Sequence, residues 1–312
     1  MKERLEAADF IKCVCIVLMV VFHLAYIGDK YPVAKQFVYT FHMPAFLILS
    51  GYFLNVRKSA KDFLRSMWWL FVPYAVFECG YVVAASFLPT RDAVDHLSFD
   101  LLVRKLFLDP LGPYWYLHTL IIASLIVYAL THWLRKISDD FSRSLLVIVV
   151  LAAVAHFTGL MSVTNVLYYA LGYLLARMSV PLQSFIRPSC WALLPLLLLM
   201  TDPGHFDKNT VEGVAIVYLV MSLLLALYPL LSERFRSAAS FIGQNTLPIL
   251  VFSPIFTMGA KVLLPFFSFD RTGLLFLVVA TSITLLGCLF LTWTMDRLNL
   301  SRYFWGRERF LK

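Results

Sequence analysis

Long apolar stretches separated by short polar segments occupy almost the whole chain. A membrane-spanning helix needs about 20 mostly apolar residues. Ten stretches have this character, although the sixth and seventh are short: 8–27, 36–56, 66–88, 113–134, 143–160, 164–178, 189–201, 211–230, 240–264 and 272–296. The pattern predicts an all-α, polytopic integral membrane protein with about ten transmembrane helices, which form a single membrane domain over residues 1–312.

Two segments outside these stretches have patterns of their own. Residues 89–111 form the longest predicted loop, and its stretch LSFDLLVRKLFL places five apolar residues on roughly one helical face. These are Leu97, Leu101, Leu102, Leu106 and Phe107. An interfacial helix on the outer leaflet and a plain tethered loop both fit this pattern. Residues 297–312 form a polar tail with aromatic anchors, which we predict to lie at the cytoplasmic membrane surface.

Composition and charge agree with the apolar pattern. The chain is 60% hydrophobic, whereas soluble domains have about 45–50% apolar residues. Eighteen of the 27 Lys and Arg residues lie on one side of the predicted spans and eight on the other. Because cytoplasmic loops carry an excess of Lys and Arg, both termini are predicted to be cytoplasmic. The net charge of +8 therefore reflects topology first, and nucleic acid is not an expected partner.

The cysteine pattern gives no sign of a metal centre. All five cysteines fall in predicted spans, and no two of them form a CxxC pair. We therefore expect neither a metal site nor a disulfide framework.

Lys12 and His23 stand inside the first predicted span, Lys12 near its cytoplasmic end and His23 deep in its outer half. Eleven steps of 100° come to about 20° from three full turns, so both side chains share one helix face, ~16 Å apart along the axis. Ionisable groups inside a membrane are costly and commonly functional. Snorkelling of Lys12 to the interface and a structural hydrogen bond of His23 are the simpler alternatives.

Four further titratable residues reach a depth similar to that of His23. They are His42, Glu78, His118 and His156, in the second to fifth spans. Five such groups favour a polar cavity open to the outer side over five separate structural hydrogen bonds. A carboxylate beside an imidazole fixes its tautomer and stabilises the imidazolium, as in many general bases. Glu78 is our candidate for that carboxylate.

Two motifs lie in the second and fourth predicted spans. FHMPAFLILSG (41–51) places Pro44 inside the second span, and a proline kink is tolerated beside a cavity. GPYWYLHTL (112–120) opens the fourth span with Tyr114, Trp115 and Tyr116. These aromatic residues are typical of anchors at the membrane interface. Trp115 and Tyr116 are also candidates for the cavity wall.

A third motif is basic. RKSAKDFLRSMWWLFVPY (57–74) places Arg57, Lys58, Lys61 and Arg65 in the first cytoplasmic loop. The cations fit the general excess of positive charge on the cytoplasmic side. They also fit a phosphate-binding cluster, because phosphates form strong charge-assisted hydrogen bonds with Lys and Arg.

Five motifs, in this order along the chain, resemble those of the acyltransferase 3 family of integral-membrane O-acyltransferases. They are the Lys12–His23 pair, FHMPAFLILSG, VPY, GPYWYL and IGQNTLPIL, and they cover essentially the whole chain. The family includes fucose 4-O-acetylase-like enzymes and exopolysaccharide or O-antigen acetyltransferases. The resemblance implies about ten spans in a bacterial cytoplasmic (inner) membrane. It also implies transfer of an acetyl, or other acyl, group from cytoplasmic acetyl-CoA to a sugar or lipid-linked glycan, without a metal.

The same resemblance implies roles for single residues. His23 matches the histidine of the family's motif, and Lys12 matches its cation. Many members have two arginines three residues apart after the second span, but here Arg65 is followed at that spacing by Trp68. Many members also have a histidine at the position of Ser253.

The remaining site residues follow from these matches. CoA phosphates would then bind to Lys58, Lys61 and Arg65. Asn245, within IGQNTLPIL, is placed with the cavity residues His42, Trp115, Tyr116, His118 and His156.

Several alternatives stay open at this point. His23 would act either as the general base or as the acyl carrier. A transporter or flippase for a glycolipid or small anion, and a non-catalytic partner in polysaccharide assembly, are the other candidate functions. No internal repeat supports a transporter built from two related halves. The predicted partners are acyl-CoA, the acceptor and membrane lipids, and a homo-oligomer is also compatible with the sequence. The identity of the acceptor is open.

Overall fold

The computed structural model of this chain describes residues 6–87 and 94–312, and over these residues it contains helices and no strands. The all-α prediction is therefore confirmed. The fifteen α-helices, numbered α1 to α15 in chain order, are Glu6–His23, Ala25–Lys30, Pro32–Phe53, Ala60–Phe87, Phe99–Phe107, Trp115–Trp133, Asp140–Thr158, Val163–Arg177, Leu182–Phe185, Leu193–Leu199, Val211–Leu227, Glu233–Gln244, Thr246–Gly259, Leu274–Arg297 and Ser301–Phe304.

Six helical segments in the described part of the chain are long and apolar enough to cross a membrane: Ala60–Phe87, Phe99–Trp133, Asp140–Thr158, Val211–Leu230, Thr246–Phe267 and Leu274–Arg297. The chain is thus a multi-pass membrane protein. Helices α1 and α3 are not among the six. α1 has three charged side chains within 18 residues, and α3 contains Lys35, Gln36 and His42. The count of about ten spans and the side of the termini stay predictions.

The predicted span 189–201 is short in the structure. Its apolar helical part runs from Cys190 to Leu199, which is ~15 Å at 1.5 Å per residue. The hydrocarbon core is about 30 Å thick, so this segment alone does not cross it as a straight helix. Pro188 precedes the segment, and Asp202 caps a 3-10 turn that begins at Pro203.

Two helix breaks shape the region around α1 and α12. α1 ends at His23, because Leu24 adopts an extended backbone before α2 begins. The predicted span 240–264 is interrupted at Asn245, which separates α12 from α13. Both breaks put a polar side chain at a helix end inside the protein.

The amphipathic stretch of the long predicted loop is helical, so the second of its two alternatives, a plain loop, is wrong. Helix α5 begins after Ser98, whose side chain accepts a hydrogen bond from the amide of Leu101 at 3.1 Å, as an N-cap does. Its apolar residues Phe99 and Phe107 are exposed. Residues 89–93 of this loop lie outside the described part of the chain, and the placement of α5 on an outer leaflet stays a prediction.

The chain divides into two compact units. Unit 1 consists of Met1–Phe46, Pro181–Asn299 and Arg309–Lys312, and unit 2 of Leu47–Val180 and Leu300–Glu308. In unit 1, α1 packs along α12 and against α13, which in turn packs against α14. Helices α1 and α12 approach so closely that a Cβ atom at position 243 would collide with the backbone oxygen of Asp9, and the sequence has Gly243 there.

In unit 2, the end of α3 crosses α8 in close backbone contact. A Cβ atom at Gly51 would collide with the carbonyl oxygen of Tyr169, and one at Gly172 with that of Ile48. Small residues at helix crossings allow this approach, which maximises van der Waals contact between membrane helices. The crossing is therefore specified by two glycines, one on each helix.

Hydroxyl pairs also join the helices of unit 2. They are Ser50–Tyr116 at 2.7 Å, Ser124–Tyr169 at 2.9 Å and Thr131–Tyr173 at 2.8 Å. The three α6 members follow one another at intervals of seven or eight residues, and so lie on one face of α6. Each such bond contributes only about 0.6 kcal/mol on average in a membrane.

The tail is packed rather than loose. Trp305 of unit 2 is only 2% exposed, and the placement of the tail at the cytoplasmic membrane surface stays a prediction. In unit 1, the amides of Phe310 and Leu311 donate to the carboxylate of Asp296 at 2.9 and 3.0 Å. These bonds hold the last residues of the chain against the end of α14.

Candidate functional site

Lys12 lies on α1 and forms an ion pair that the sequence analysis missed. Its Nζ is 2.6 Å from Oδ1 of Asp9, and the two side chains are 23% and 8% exposed. The pair has i, i+3 spacing on a helix, which is the signal that could have identified it. Lys12, the motif cation, is therefore already paired with the carboxylate of Asp9. An anion that binds to Lys12 has to compete with that carboxylate.

The same end of unit 1 contains an open cleft of about 600 Å³. Its walls come from the start of α1, from α12 and from the last residue of the chain. Arg236, Ser237, Ser240, Gln244 and Lys312 line it together with Glu6, Glu233 and Phe241. Glu6 accepts a hydrogen bond from the hydroxyl of Tyr228 at 2.8 Å. The cleft thus offers cations and hydrogen-bonding groups of both kinds to a polar ligand.

His23 is the last residue of α1, and its own helix determines which ring nitrogen is basic. Nδ1 lies 2.7 Å from the carbonyl oxygen of Met19. A carbonyl oxygen only accepts hydrogen bonds, so Nδ1 donates, and in the neutral imidazole Nε2 is the proton acceptor. The ring is half-buried. His23 is therefore oriented as a base through Nε2.

His42 on α3 repeats this arrangement within unit 1. Its Nδ1 donates to the carbonyl oxygen of Val38 at 2.8 Å, and the side chain is buried. Tyr39 lies between the two histidines, with ring centroids 6.0 Å from His23 and 5.1 Å from His42. The Tyr39 hydroxyl donates to the carbonyl oxygen of Phe22 at 3.4 Å. The structure thus brings together two predicted site histidines, through a tyrosine that the sequence analysis did not single out.

Two lysines adjoin this His–Tyr–His group. Nζ of Lys35 lies 5.4 Å from the ring centroid of Tyr39. Lys208, from the loop between α10 and α11, is close enough to His42 to interact with it electrostatically. Burial lowers the pKa of Lys208, and the neighbouring carboxylate of Asp207 opposes that shift. No sequence motif points to Lys208, because it comes from a loop more than 160 residues away along the chain.

Glu78 and His118 lie in unit 2, where their side chains form hydrogen bonds with backbone groups. Glu78 is fully buried, and its Oε1 accepts a hydrogen bond from the amide of Leu111 at 2.7 Å. Nε2 of His118 donates to the carbonyl oxygen of Phe107 at 2.9 Å. The hydroxyl of Tyr74 donates to the carbonyl oxygen of Leu106 at 2.6 Å. These three side chains therefore fasten residues 106–111, including the end of α5, to α4 and α6.

The motif GPYWYL is a turn that leads into α6. Gly112 has a φ of +57°, which favours glycine, and a short 3-10 segment follows it. Tyr114 and Tyr116 are buried at 1% and 7% exposure. Their predicted role as interface anchors is therefore wrong, because the turn directs them into unit 2. Trp115 is half-buried and packs edge-on against Tyr116 at 6.3 Å.

The two remaining cavity candidates differ in burial. His156 is exposed on α7, where it packs edge-on against Phe157 at 5.1 Å. Asn245 is fully buried in unit 1. Its Nδ2 donates to the carbonyl oxygen of Phe241 at 2.8 Å, and its Oδ1 accepts from the amide of Lys312 at 3.4 Å. Asn245 therefore stabilises the break between α12 and α13, and its place in a cavity stays a prediction.

The basic cluster lies in unit 2 at the start of α4. Lys58 donates to the hydroxyl of Ser66 at 2.7 Å, and the Lys58 carbonyl accepts from the hydroxyl of Tyr128 at 2.9 Å. Lys61 and Arg65 are exposed. One lysine is thus fixed by the fold, while the other two cations face outward and are accessible to a ligand.

Metal ligation is not indicated in residues 6–87 and 94–312, which contain no group of three or more His, Cys, Asp or Glu side chains able to hold an ion.

Comparison with known proteins identifies a family. The family model of the acyltransferase 3 family, described as an acyltransferase domain, matches residues 5–293. No curated protein and no solved structure matches the chain significantly. The matched range contains every site residue discussed above except Lys312.

Proposed function

We propose, from the premise that the chain belongs to the acyltransferase 3 family and is a membrane acyltransferase, that it transfers an acetyl group from acetyl-CoA to a hydroxyl of a sugar or cell-surface glycan. The acetyl donor, the sugar acceptor and the residue roles below are parts of this proposal. Acetyl-CoA would be a substrate and not a resident cofactor.

One observation supports the proposal more than any other: Lys12 and His23 lie on the same helix, eleven residues apart, with His23 basic at Nε2. The axial separation is ~16 Å at 1.5 Å per residue. The pantetheine arm of CoA is long and thin, so a cation at one end can bind CoA phosphates while the thioester reaches the imidazole at the other. A single α-helix then sets the distance between donor binding and chemistry.

In the proposed reaction, Nε2 of His23 removes the proton of the acceptor hydroxyl as the oxygen attacks the thioester carbonyl carbon. The C–O bond forms and the C–S bond breaks, and the imidazolium returns its proton to the leaving CoA thiolate. The hydrogen bond from Nδ1 to Met19 stays in place throughout, so the ring keeps its orientation. The products are the acetyl ester and CoA.

An acetyl-His relay is the alternative route. Nε2 of His23 would attack the thioester carbonyl carbon and expel CoA as the thiolate. The acceptor hydroxyl would then attack the acetyl-imidazole and release the imidazole, and its proton would pass to the thiolate. Both routes use the same nitrogen, and both are consistent with its orientation. The relay predicts an acetylated protein when acetyl-CoA is supplied without an acceptor, which mass spectrometry of the rapidly quenched enzyme would detect.

Besides Lys12, donor phosphates have two further candidate binding places in this proposal. The first is the cluster of Lys58, Lys61 and Arg65, whose last two members are exposed. The second is the cleft beside α12, with Arg236 and Lys312. Each offers at least two cations to the phosphates, which favour charge-assisted hydrogen bonds.

The test is acetyl transfer by purified protein in lipid nanodiscs, with labelled acetyl-CoA and a panel of bacterial glycans. Wild type is expected to acetylate at least one glycan. His23→Ala is expected to lower the rate about 10²–10⁴-fold, the usual loss for a general base. His156→Ala is the matched control, since His156 is exposed, and it should stay near wild type with an unchanged melting temperature.

Two results would refute the proposal. Absence of acetyl transfer to every glycan by folded wild type would remove the sugar acceptor. Retention of most activity by His23→Ala would remove His23 from the chemistry, and His42 would be the next residue to replace.

A further inference from the structure

A second pocket, of about 460 Å³, lies at the corner between α2 and α3 and shares no residue with the cleft beside α12. Its walls come from the end of α2, the first turns of α3 and the segment that follows α10, all within unit 1. The lining residues are Lys30, Tyr31, Pro32, Val33, Ala34, Phe37, Met200 and Phe206. Ligand pockets commonly have volumes of about 300–1,000 Å³, so this one is large enough for part of a ligand.

The walls of this pocket are held in place by contacts with other segments. Phe206 is buried, and its ring packs against that of Phe37 on α3, with centroids 5.2 Å apart. The hydroxyl of Tyr31 donates a hydrogen bond to the carbonyl oxygen of Thr272 at 2.7 Å. The shape of the pocket therefore comes from packed segments that are distant in the sequence.

The lining is mostly apolar and includes one charged side chain, that of Lys30. Nζ of Lys30 donates to the hydroxyl of Tyr26 at 3.4 Å and lies 5.4 Å from the centroid of the Tyr26 ring. Both partners are neutral, and within residues 6–87 and 94–312 no carboxylate forms an ion pair with Lys30. Asp29 precedes Lys30 in the sequence but does not line the pocket. A ligand in the pocket therefore meets an ammonium group whose charge is available to an anion.

An exposed apolar surface continues from the pocket along α10. Met200 lines the pocket directly after α10, and Leu194, Leu197 and Leu198 of α10 are each more than half exposed. Exposed apolar surface of this kind marks contact with a membrane or a partner. The apolar segment that contains α10 is ~15 Å long at 1.5 Å per residue, which is half of a hydrocarbon core about 30 Å thick. Its length therefore matches the acyl chains of one leaflet.

We propose that this pocket binds an anionic phospholipid of the membrane, whose phosphate contacts Lys30 and whose acyl chain lies in the pocket and along α10. A phospholipid combines the two features that the site requires, an anionic phosphate and an apolar chain. A second copy of the chain carries a net charge of +8 and so does not complement Lys30. The inference concerns a lipid partner and does not rest on the proposed acetyl transfer.

The role of Lys30 is tested by native mass spectrometry of the full chain with two lipids that have identical acyl chains. Phosphatidylglycerol has a net negative charge, and phosphatidylcholine has the same phosphate but no net charge. Wild type is expected to bind phosphatidylglycerol about fivefold more tightly, the factor that one lysine near an anionic membrane surface gives. Lys30→Gln should remove this preference and Lys30→Arg should retain it. Lys261→Gln, at an exposed lysine of the same unit, is the matched control and should retain it as well.

The position of the chain is tested with phosphatidylglycerol that carries a photoreactive diazirine on its acyl chain. Cross-links in nanodiscs are expected to be concentrated in residues 30–37 and 193–206. Ala34→Trp fills the pocket and should lower this labelling several-fold. Ala238→Trp is the matched control, because Ala238 is exposed on α12 and lines neither pocket. Melting temperatures verify that each variant is folded.

Three results would overturn the inference. An unchanged lipid preference in folded Lys30→Gln would remove Lys30 as the phosphate partner. Labelling spread evenly over exposed apolar helices such as α7 and α14, and unaffected by Ala34→Trp, would show only the ordinary lipid that surrounds a membrane protein. A lipid-free dimer that Ala34→Trp dissociates would assign the pocket to a second copy of the chain.

Discussion

His23 and His42 in unit 1 each donate a hydrogen bond from Nδ1 to a carbonyl oxygen of their own helix. His118 in unit 2 instead donates from Nε2 to the carbonyl oxygen of Phe107, the last residue of α5. The first arrangement makes Nε2 the basic nitrogen of a half-buried or buried ring. The second uses the ring to hold another part of the backbone. Glu78 and Tyr74 act like His118, since both bond to the same segment. Histidines at similar positions along their predicted spans therefore have different roles in the two units.

The lesson concerns how a buried polar residue is interpreted. A hydrogen bond to backbone lowers the free-energy cost of a polar side chain buried in the membrane, and a function is the other reason for such a residue to be there. Which of the two applies depends on where the bonding partner lies. When the partner is the carbonyl oxygen four residues earlier on the same helix, the second ring nitrogen faces other groups. When the partner is a distant backbone group, the ring joins two parts of the fold.

The largest expected effect separates the two histidine arrangements. We expect His118→Ala to lower the melting temperature and to reduce acetyl transfer only in proportion to the folded fraction, because an unpaired carbonyl of Phe107 costs about 1–3 kcal/mol. His23→Ala is expected to do the reverse, with up to 10⁴-fold less transfer and little change in stability. The measurements are initial rates and thermal unfolding on the same preparations.

The Glu78→Gln variant tests whether the predicted catalytic carboxylate has a structural or a catalytic role. Gln keeps an acceptor for the amide of Leu111, so the variant should stay folded. If Glu78 serves the fold alone, transfer stays near wild type. A loss of 100-fold or more in a folded protein would instead make Glu78 catalytic, and would break the contrast drawn between the units.

The glycine crossing of unit 2 should show the next largest effect. We expect Gly172→Ala to destabilise the protein by about 1–3 kcal/mol or more, since overpacking forces the backbones of α3 and α8 apart. Gly80→Ala is the control on α4, where nothing lies within 4 Å of the added Cβ atom. Thermal unfolding in nanodiscs measures both. Equal stability of the two variants would show that the crossing relaxes freely.

Donor affinity should respond moderately to charge reversal. We expect the double change Lys61→Glu and Arg65→Glu to raise KM for acetyl-CoA roughly tenfold, in line with the loss of a charge-assisted contact of about 1.5 kcal/mol. Arg236→Glu is the matched change in the cleft of unit 1. If only Arg236→Glu raises KM, the nucleotide binds in the cleft beside α12 and not at the start of α4.

The smallest expected effect comes from the hydroxyl pairs. Tyr116→Phe removes the bond to Ser50 and keeps the ring, so we expect a loss of about 0.6 kcal/mol, the average for such bonds in membranes. Acetyl transfer should be unchanged if Tyr116 is structural. A large loss of transfer with normal stability would instead place Tyr116 at the acceptor, as the sequence alone suggested.

Much of the fold was predictable from local pattern. Apolar stretches of span length, a proline within α3 and the heptad-like spacing on α6 all depend on residues close together in the sequence. The shared helix face of Lys12 and His23 is predictable for the same reason. The Asp9 partner of Lys12 has a local i, i+3 spacing, so this ion pair is also predictable from the sequence.

The rest depends on contacts between distant segments. Nothing near Glu78 indicates that the amide of Leu111 will reach it, and nothing near His42 indicates Lys208. Tyr114 and Tyr116 look like interface residues until the positive φ of Gly112 directs them inward. One sequence specifies such contacts only through the complete fold.

The packing of α1 has a consequence for biogenesis. α1 leaves the ribosome before its main partner α12, which begins more than 200 residues later. At about 5–20 residues per second, α1 waits roughly 10–40 s for that partner. During this interval its lysine is not alone in the lipid, because Asp9 is on the same helix, one turn away, and neutralises it. The pair would let a charged helix enter the bilayer early and remain there until the later helices arrive.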